Sequence, residues 1–154
     1  MQRAAVIDAV GRYKRPESVL VVVHTRGGEV LLLERVRPRG FWQSVTGSLE
    51  WGEGAAAAAV RELREETGLF AGRALVDSKR GERFRIVPPW KARYGPGVRI
   101  NTEHWFAVEL PGRRMVRLNR LEHRQCRWLP AAEAARRATS WTNRKAIRAI
   151  LGIR

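Results

Sequence analysis

The chain has 154 residues, 44% of them hydrophobic, and 30 Lys and Arg against 15 Asp and Glu give a formal net charge of +15. That length and apolar share suit one folded domain over residues 1–154 and argue against disorder. No apolar run reaches the roughly 18–20 residues that span a bilayer, and Met1–Pro16 lacks the apolar stretch of a secretory signal.

In chain order, Ser18–His24 and Glu29–Val36 read as strands joined by a Thr25-Arg26-Gly27-Gly28 hairpin turn. Phe41–Thr46 reads as a third strand. Ala55–Thr67 is a run of strong helix formers closed by Gly68 as a C′ cap. Strands are expected near Gly72–Ser78, Glu82–Val87 and Glu103–Leu110. Pro88–Gly97, rich in Pro, Gly and aromatics, reads as an ordered loop over a pocket. A last strand, His123–Leu129, precedes helices over Ala131–Ala138 and Thr142–Leu151, the latter capped by Ser140 or Thr142. The expected fold is therefore a compact α/β domain.

The positive charge points to an anionic ligand without naming the anion. Its arginines are spread along the whole chain, so a small polyphosphate ranks above nucleic acid as the partner. The lone Cys126 has no intrachain partner and reads as a reduced structural thiol of a cytoplasmic protein, and no membrane contact is expected.

The chemistry concentrates in Gly47–Leu69, GSLEWGEGAAAAAVRELREETGL. On a helix, Glu62, Glu65 and Glu66 fall in a sector of roughly 100°. Glu62 and Glu66 are a like-charge i,i+4 pair, which a helix chosen for stability alone would avoid, and no cation lies one turn away to compensate. A hard divalent cation such as Mg²⁺ explains the cluster through oxygen ligation. An ordinary acidic surface accounts for the three glutamates equally well on their own.

The surrounding residues decide between the two. Gly47, five residues, Glu53, seven residues, then Arg61-Glu62-Leu63, one residue, Glu65-Glu66, one residue and Gly68-Leu69 match every defined position of the Nudix box. The chain resembles the Nudix hydrolase family. The resemblance implies the Nudix fold: a mixed β-sheet sandwich with the box helix and C-terminal helices. It also implies that Glu62, Glu65 and Glu66 hold Mg²⁺ (or Mn²⁺ in its place), that Glu53 supports them, and that Arg61 pairs with the box acids. The expected activity is hydrolysis of a phosphoanhydride, which needs charge on the phosphate oxygens, an in-line water and a base. The box does not locate that base. Glu122 is a candidate from outside the helix, against the reading of an exposed loop glutamate.

Further stretches resemble one branch of the family, the dihydroneopterin triphosphate pyrophosphatases of bacterial folate biosynthesis. They are Tyr13–Pro16, Phe41–Gly47, Arg93–Val98, Asn101-Thr102-Glu103 and Ser140–Arg144. This likeness implies that Lys14, Arg35, Thr46 and Ser140 touch substrate and that Glu122 is a further metal ligand. Physically, Lys14 and Arg35 suit phosphate oxygens, and Thr46 and Ser140 offer hydroxyls; surface cations and a strand or cap hydroxyl are the plainer alternatives. Phe84, Arg85, Ile86 and Val87 form a candidate pocket wall, against an ordinary buried strand. Trp42, Phe84, Trp90 and Tyr94 are candidates to stack on a heterocycle. Trp51-Gly52 before Glu53 and the dense basic stretch Arg113–Arg127 depart from the pattern. Two other functions compete: a Nudix pyrophosphohydrolase cleansing dATP or 8-oxo-dGTP, and an RNA-binding module on a Nudix scaffold. A non-catalytic module has no need of all three glutamates.

Overall fold

In the computed structural model, residues 13–154 are described. The reading of Met1–Pro16 as no secretory signal therefore lies, over residues 1–12, outside them. Strand β1 (Glu17–Thr25) is the spine of the molecule. Its Val19, Val21 and Val23 face one apolar cluster while Leu20 and Val22 face another, so the strand is buried on both sides. That double burial is why it reads as an unbroken apolar run instead of an alternation.

On one flank β1 pairs antiparallel with β2 (Glu29–Arg35) and, lower down, with β4 (Val45–Ser48). On the other it runs parallel to β6 (Ile100–Leu110), which pairs antiparallel with the edge strand β5 (Leu75–Arg85). β3 (Trp42–Gln43) and β7 (His123–Pro130) both pair with β2, completing a mixed sheet. Helix α1 (Ala55–Thr67) packs Ala58, Ala59 and Leu63 on one face. Helices α2 (Ala131–Arg137) and α3 (Trp141–Leu151) cover the other with Ala134, Ala135, Ala146 and Ile147. This is the expected α/β fold.

Three expected strands change form. Phe41–Thr46 is split at Ser44, because the Ser44 amide donates to Asn143 Oδ1 (2.8 Å) on α3 and leaves the ladder there. Gly72–Ser78 and Glu82–Val87 are instead a 3-10 turn at Gly72–Ala74 followed by the single strand β5. The expected break is a bulge between Asp77 and Arg80, with Lys79 at φ 58°. The α1 boundaries are as expected, and Gly68 closes the helix at φ 73° with its amide donating to Arg64 O. Ser140 is the cap of α3, accepting from the Asn143 amide. Cys126 is free, half-buried against the α1-side core, and its thiol pKa is raised by burial. Among the described residues no helix is long and apolar enough to cross a membrane.

Candidate metal centre and active site

The box is built around Arg61. Its guanidinium makes a two-pronged contact with Glu53 (Nε to Oε2 2.9 Å, Nη2 to Oε1 2.8 Å) and also donates to Ser48 O. Its Nη1 reaches Glu62 Oε1 at 2.8 Å and Glu65 Oε2 at 3.3 Å. The cation that compensates Glu62 does not lie one turn away along the helix; it is the adjacent residue, turned along the helix surface. Hydrogen bonds to Arg61 hold the Glu53 carboxyl below its ordinary pKa, and Glu53 in turn raises that of Arg61. Gly47 is required by proximity. A Cβ there would lie 2.0 Å from Glu62 Cδ, so only glycine lets β4 pass with this carboxylate left in place.

Glu62 and Glu66 point inward from α1. Glu66 is 3% exposed, and its Oε2 accepts the Thr46 amide of β4 at 3.1 Å. Burial, then repulsion by Glu62 and Glu122, drives its pKa well above the ordinary carboxylate value. Burial pushes Glu62 up to about 7 despite Arg61, with Glu65 and Glu122 adding to the rise. Such crowded, desolvated carboxylates destabilise a metal-free protein, which is the signature of a site shaped for a cation.

Glu122 reaches the same place from the turn before β7. There Asn119 O accepts both the Glu122 and His123 amides, and Val36 N donates to Glu122 O. Ligand atoms of Glu66, Glu122 and His123 lie within 4.8 Å of one another. His123, wholly buried, contacts Gln43 through Nε2 at 3.1 Å and leaves Nδ1 without a partner. Burial, then the Arg35 charge, lowers its pKa to about 4, so the imidazole is neutral. Hard carboxylate oxygens beside a neutral imidazole with one nitrogen unpartnered fit a divalent cation in donor chemistry. Glu65 is placed differently: its side chain is 55% exposed and held by Arg61, at the margin of the cluster.

Cations face these acids. Lys14 is exposed overall, yet loss of surrounding water and the Arg93 charge lower its pKa, while Glu62 and Glu122 raise it. Its backbone is held by Arg93 O (2.9 Å), and the preceding Tyr13 carbonyl accepts from Trp51 Nε1 (2.9 Å). The departure at Trp51 therefore fastens the Lys14 segment beside the box. Arg35 sits at a bulge of β2 opposite His123, donates Nε to Arg37 O, and lies 4.8 Å over the Trp90 ring. Arg93, which opens the matched stretch Arg93–Val98 but was no candidate site residue, is a further cation here; it comes from the 3-10 turn Trp90–Arg93 inside the expected ordered loop.

The remaining candidates divide. Thr46 touches the centre through its amide. The Ser140 hydroxyl is engaged by Asn143 N and Nδ2, and contacts Thr142, so its first task is capping. Phe84 and Arg85 end β5, Ile86 is buried and Val87 is exposed. That is a rim, unlike a fully buried strand. Trp42 is in the core with Arg127 and Arg137 over its ring, and so is not free to stack on a ligand. Trp90 packs edge-on to Phe41.

Comparison with known proteins agrees with this geometry. Residues 14–150 match the family model for the NUDIX domain. The chain is 44% identical over 139 residues to dihydroneopterin triphosphate diphosphatase of Escherichia coli (strain K12), covering 88% of this chain and 91% of that one. It is 36% identical over 144 residues to the enzyme of the same name from Haemophilus influenzae, covering 91% and 90%. The solved structure of the E. coli dihydroneopterin triphosphate pyrophosphohydrolase superposes with a TM-score of 0.84 at 43% identity, covering 90% of this chain and 97% of that one. A C. elegans Ap4A hydrolase, at a TM-score of 0.65 and 20% identity, covering 88% and 95%, shares the fold alone. From the complete box, the arrangement of its acids and these likenesses, the chain belongs to the Nudix hydrolase family.

Proposed function

We propose that this chain is a Mg²⁺-dependent pyrophosphohydrolase that converts dihydroneopterin triphosphate to dihydroneopterin monophosphate and pyrophosphate, a cytoplasmic step of folate biosynthesis. The whole chain is read as one such unit. The observation that carries the reading is the convergence of ligand atoms of Glu66, Glu122 and His123 within 4.8 Å, with Lys14 and Arg35 in electrostatic reach of these acids. The names and extent of the E. coli and H. influenzae relatives support the substrate.

Glu62, Glu66 and Glu122 would hold the cation, with Glu65 at the margin and His123 beside them. When bound, Mg²⁺ (or Mn²⁺) supplies positive charge to the phosphate oxygens and acidifies a water. Lys14 and Arg35 hold the phosphate chain in line, the guanidinium offering two parallel donors. Arg35 is pre-positioned by the Trp90 ring and the Arg37 carbonyl. Thr46 fixes Glu66, and Arg61 fixes Glu62, so neither carboxylate need reorganise as charge develops. Glu122 is the proposed group that orients or deprotonates the attacking water. Attack of the water on either phosphorus of the α–β anhydride breaks that bond: the attacked phosphoryl group takes the water oxygen, and the other product leaves with the electron pair. Product analysis tests this directly: pyrophosphate with the monoester is expected, whereas orthophosphate with a diphosphate ester would refute the assigned bond.

A further inference from the structure

The sheet carries a second polar cluster, on the face opposite α1. Register across the strands sets Ser48 of β4 opposite Ser18 of β1, Ser18 opposite Glu103 of β6, and Glu103 opposite Glu82 of β5. Directly paired residues share a face, and Trp105, two residues after Glu103, belongs to the α3-side core. The row therefore lies at the end of that core, where Thr142 and Asn143 at the start of α3 are both 4% exposed.

Burial of this kind is costly unless a partner is present. Glu103 is 5% exposed and has no ion pair among the described residues. Trp105 Nε1 donates to its Oε1 at 3.0 Å, and Thr142 also interacts with it. Burial nonetheless pushes its pKa up to about 7. Its neighbour Glu82 is the one that Lys145 of α3 pairs with. Asn101, 2% exposed, gives its Nδ2 to Ser18 Oγ and leaves Oδ1 buried with no donor; Ser44 Oγ is likewise unpartnered. Glu103 thus keeps acceptor capacity beyond its Trp105 and Thr142 contacts, and Asn101 Oδ1 beside it is an unused acceptor. Half-buried Thr46, Ser48, Phe84 and Tyr94 border it. Phe84 is the cross-strand partner of Asn101, and the Thr46 amide binds Glu66 of the metal centre.

We propose that Glu103, with Asn101 beside it, is the specificity-determining residue of the substrate pocket, accepting the adjacent ring N–H and amino N–H of a 2-amino-4-oxo-pyrimidine edge. A pterin carries that edge, and so does guanine; adenine does not. Two parallel donors on a flat ring match the two oxygens of one carboxylate, and Phe84 supplies a ring for the heterocycle to pack on. The inference rests on the proposed function for its substrate and adds which chemical edge is read and by what.

The test is titration of wild-type protein and Glu103→Gln with dihydroneopterin, which has no phosphates and so binds without the metal centre. Ligand fluorescence reports binding, and a thermal melt of each protein runs alongside. Glutamine keeps the acceptor for Trp105 but turns a donor toward a donor, so affinity should fall about 100-fold with the melt equal or higher. In the wild type, guanosine should compete and adenosine should not. Equal pterin affinity in both proteins, adenosine competing as well as guanosine, or a loss of affinity that tracks a lower melting temperature would each overturn the proposal. The two readings fail separately. Pterin binding without cleavage of its triphosphate removes the proposed function; cleavage whose pterin-over-adenine selectivity survives Glu103→Gln removes this one.

Discussion

Gly47 and the Glu62 carboxylate share a space that a single methyl group would fill, with 2.0 Å between the position of a Cβ and Glu62 Cδ. The group in the way is the end of a flexible side chain, so the fold can yield while the proposed metal ligand moves. Gly47→Ala should therefore change stability by no more than about 1 kcal/mol. It should lower kcat/KM by about 10- to 100-fold, since a misplacement near 1 Å costs that much at a reacting centre. Melting curves and steady-state kinetics check both halves, and full activity would refute the steric argument.

Glu66→Gln separates function from stability. The carboxylate is buried and repelled by Glu62 and Glu122, so the amide should leave metal-free stability equal or higher. Turnover should fall by about 100-fold or more. A variant that folds and still turns over normally would sink the metal assignment.

Arg61→Ala strands Glu53, Glu62 and Glu65 together. Removing one side of a buried ion pair costs about 3–5 kcal/mol, but the Arg61 side chain is 24% exposed, so about 2 kcal/mol is expected after screening. Lysine should not rescue it, because the two-pronged contact to Glu53 needs the planar fork. Urea denaturation of the alanine and lysine variants is the check, and wild-type midpoints in both would contradict the network.

The acid centre sets a pH dependence. Glu62 titrates near 4.5 when unfolded and at about 7 when folded, and Glu66 is raised in the same sense. Between those values the folded metal-free protein binds protons that the unfolded chain does not, so this contribution lowers stability as pH rises toward 7. A cation needs the ionised form, so its stabilisation grows over the same window. The rise in melting temperature on adding Mg²⁺ should be small at about pH 5.5 and large at about pH 8. An equal rise at both would contradict the assignment of these groups.

What the sequence discloses follows from how local each signal is. Helix α1 was legible to the residue because helix formers and the Gly68 cap act within a few positions. The box glutamates, Lys14 and Arg35 are named by motif or matched position, and their proximity depends on the fold. Ser44 was not, since what breaks the strand is an Asn143 side chain far along the chain. His123 stood next to the flagged Glu122, yet only the β2–β7 register turns it toward Glu66 and Gln43. That Arg61 pairs with the box acids follows from the resemblance, whereas its fold-back onto the adjacent Glu62 depends on how the guanidinium lies along the helix surface. Glu103 lay in a quoted stretch with nothing local to say that it would be buried.

The most direct measurement is Mg²⁺-dependent pyrophosphate release from dihydroneopterin triphosphate, set against dATP and 8-oxo-dGTP at equal concentration. A higher kcat/KM for the pterin, absent without the divalent cation, is the expected result. A preference for either nucleotide would contradict the assigned substrate, and no release from any of the three would contradict the catalytic reading itself.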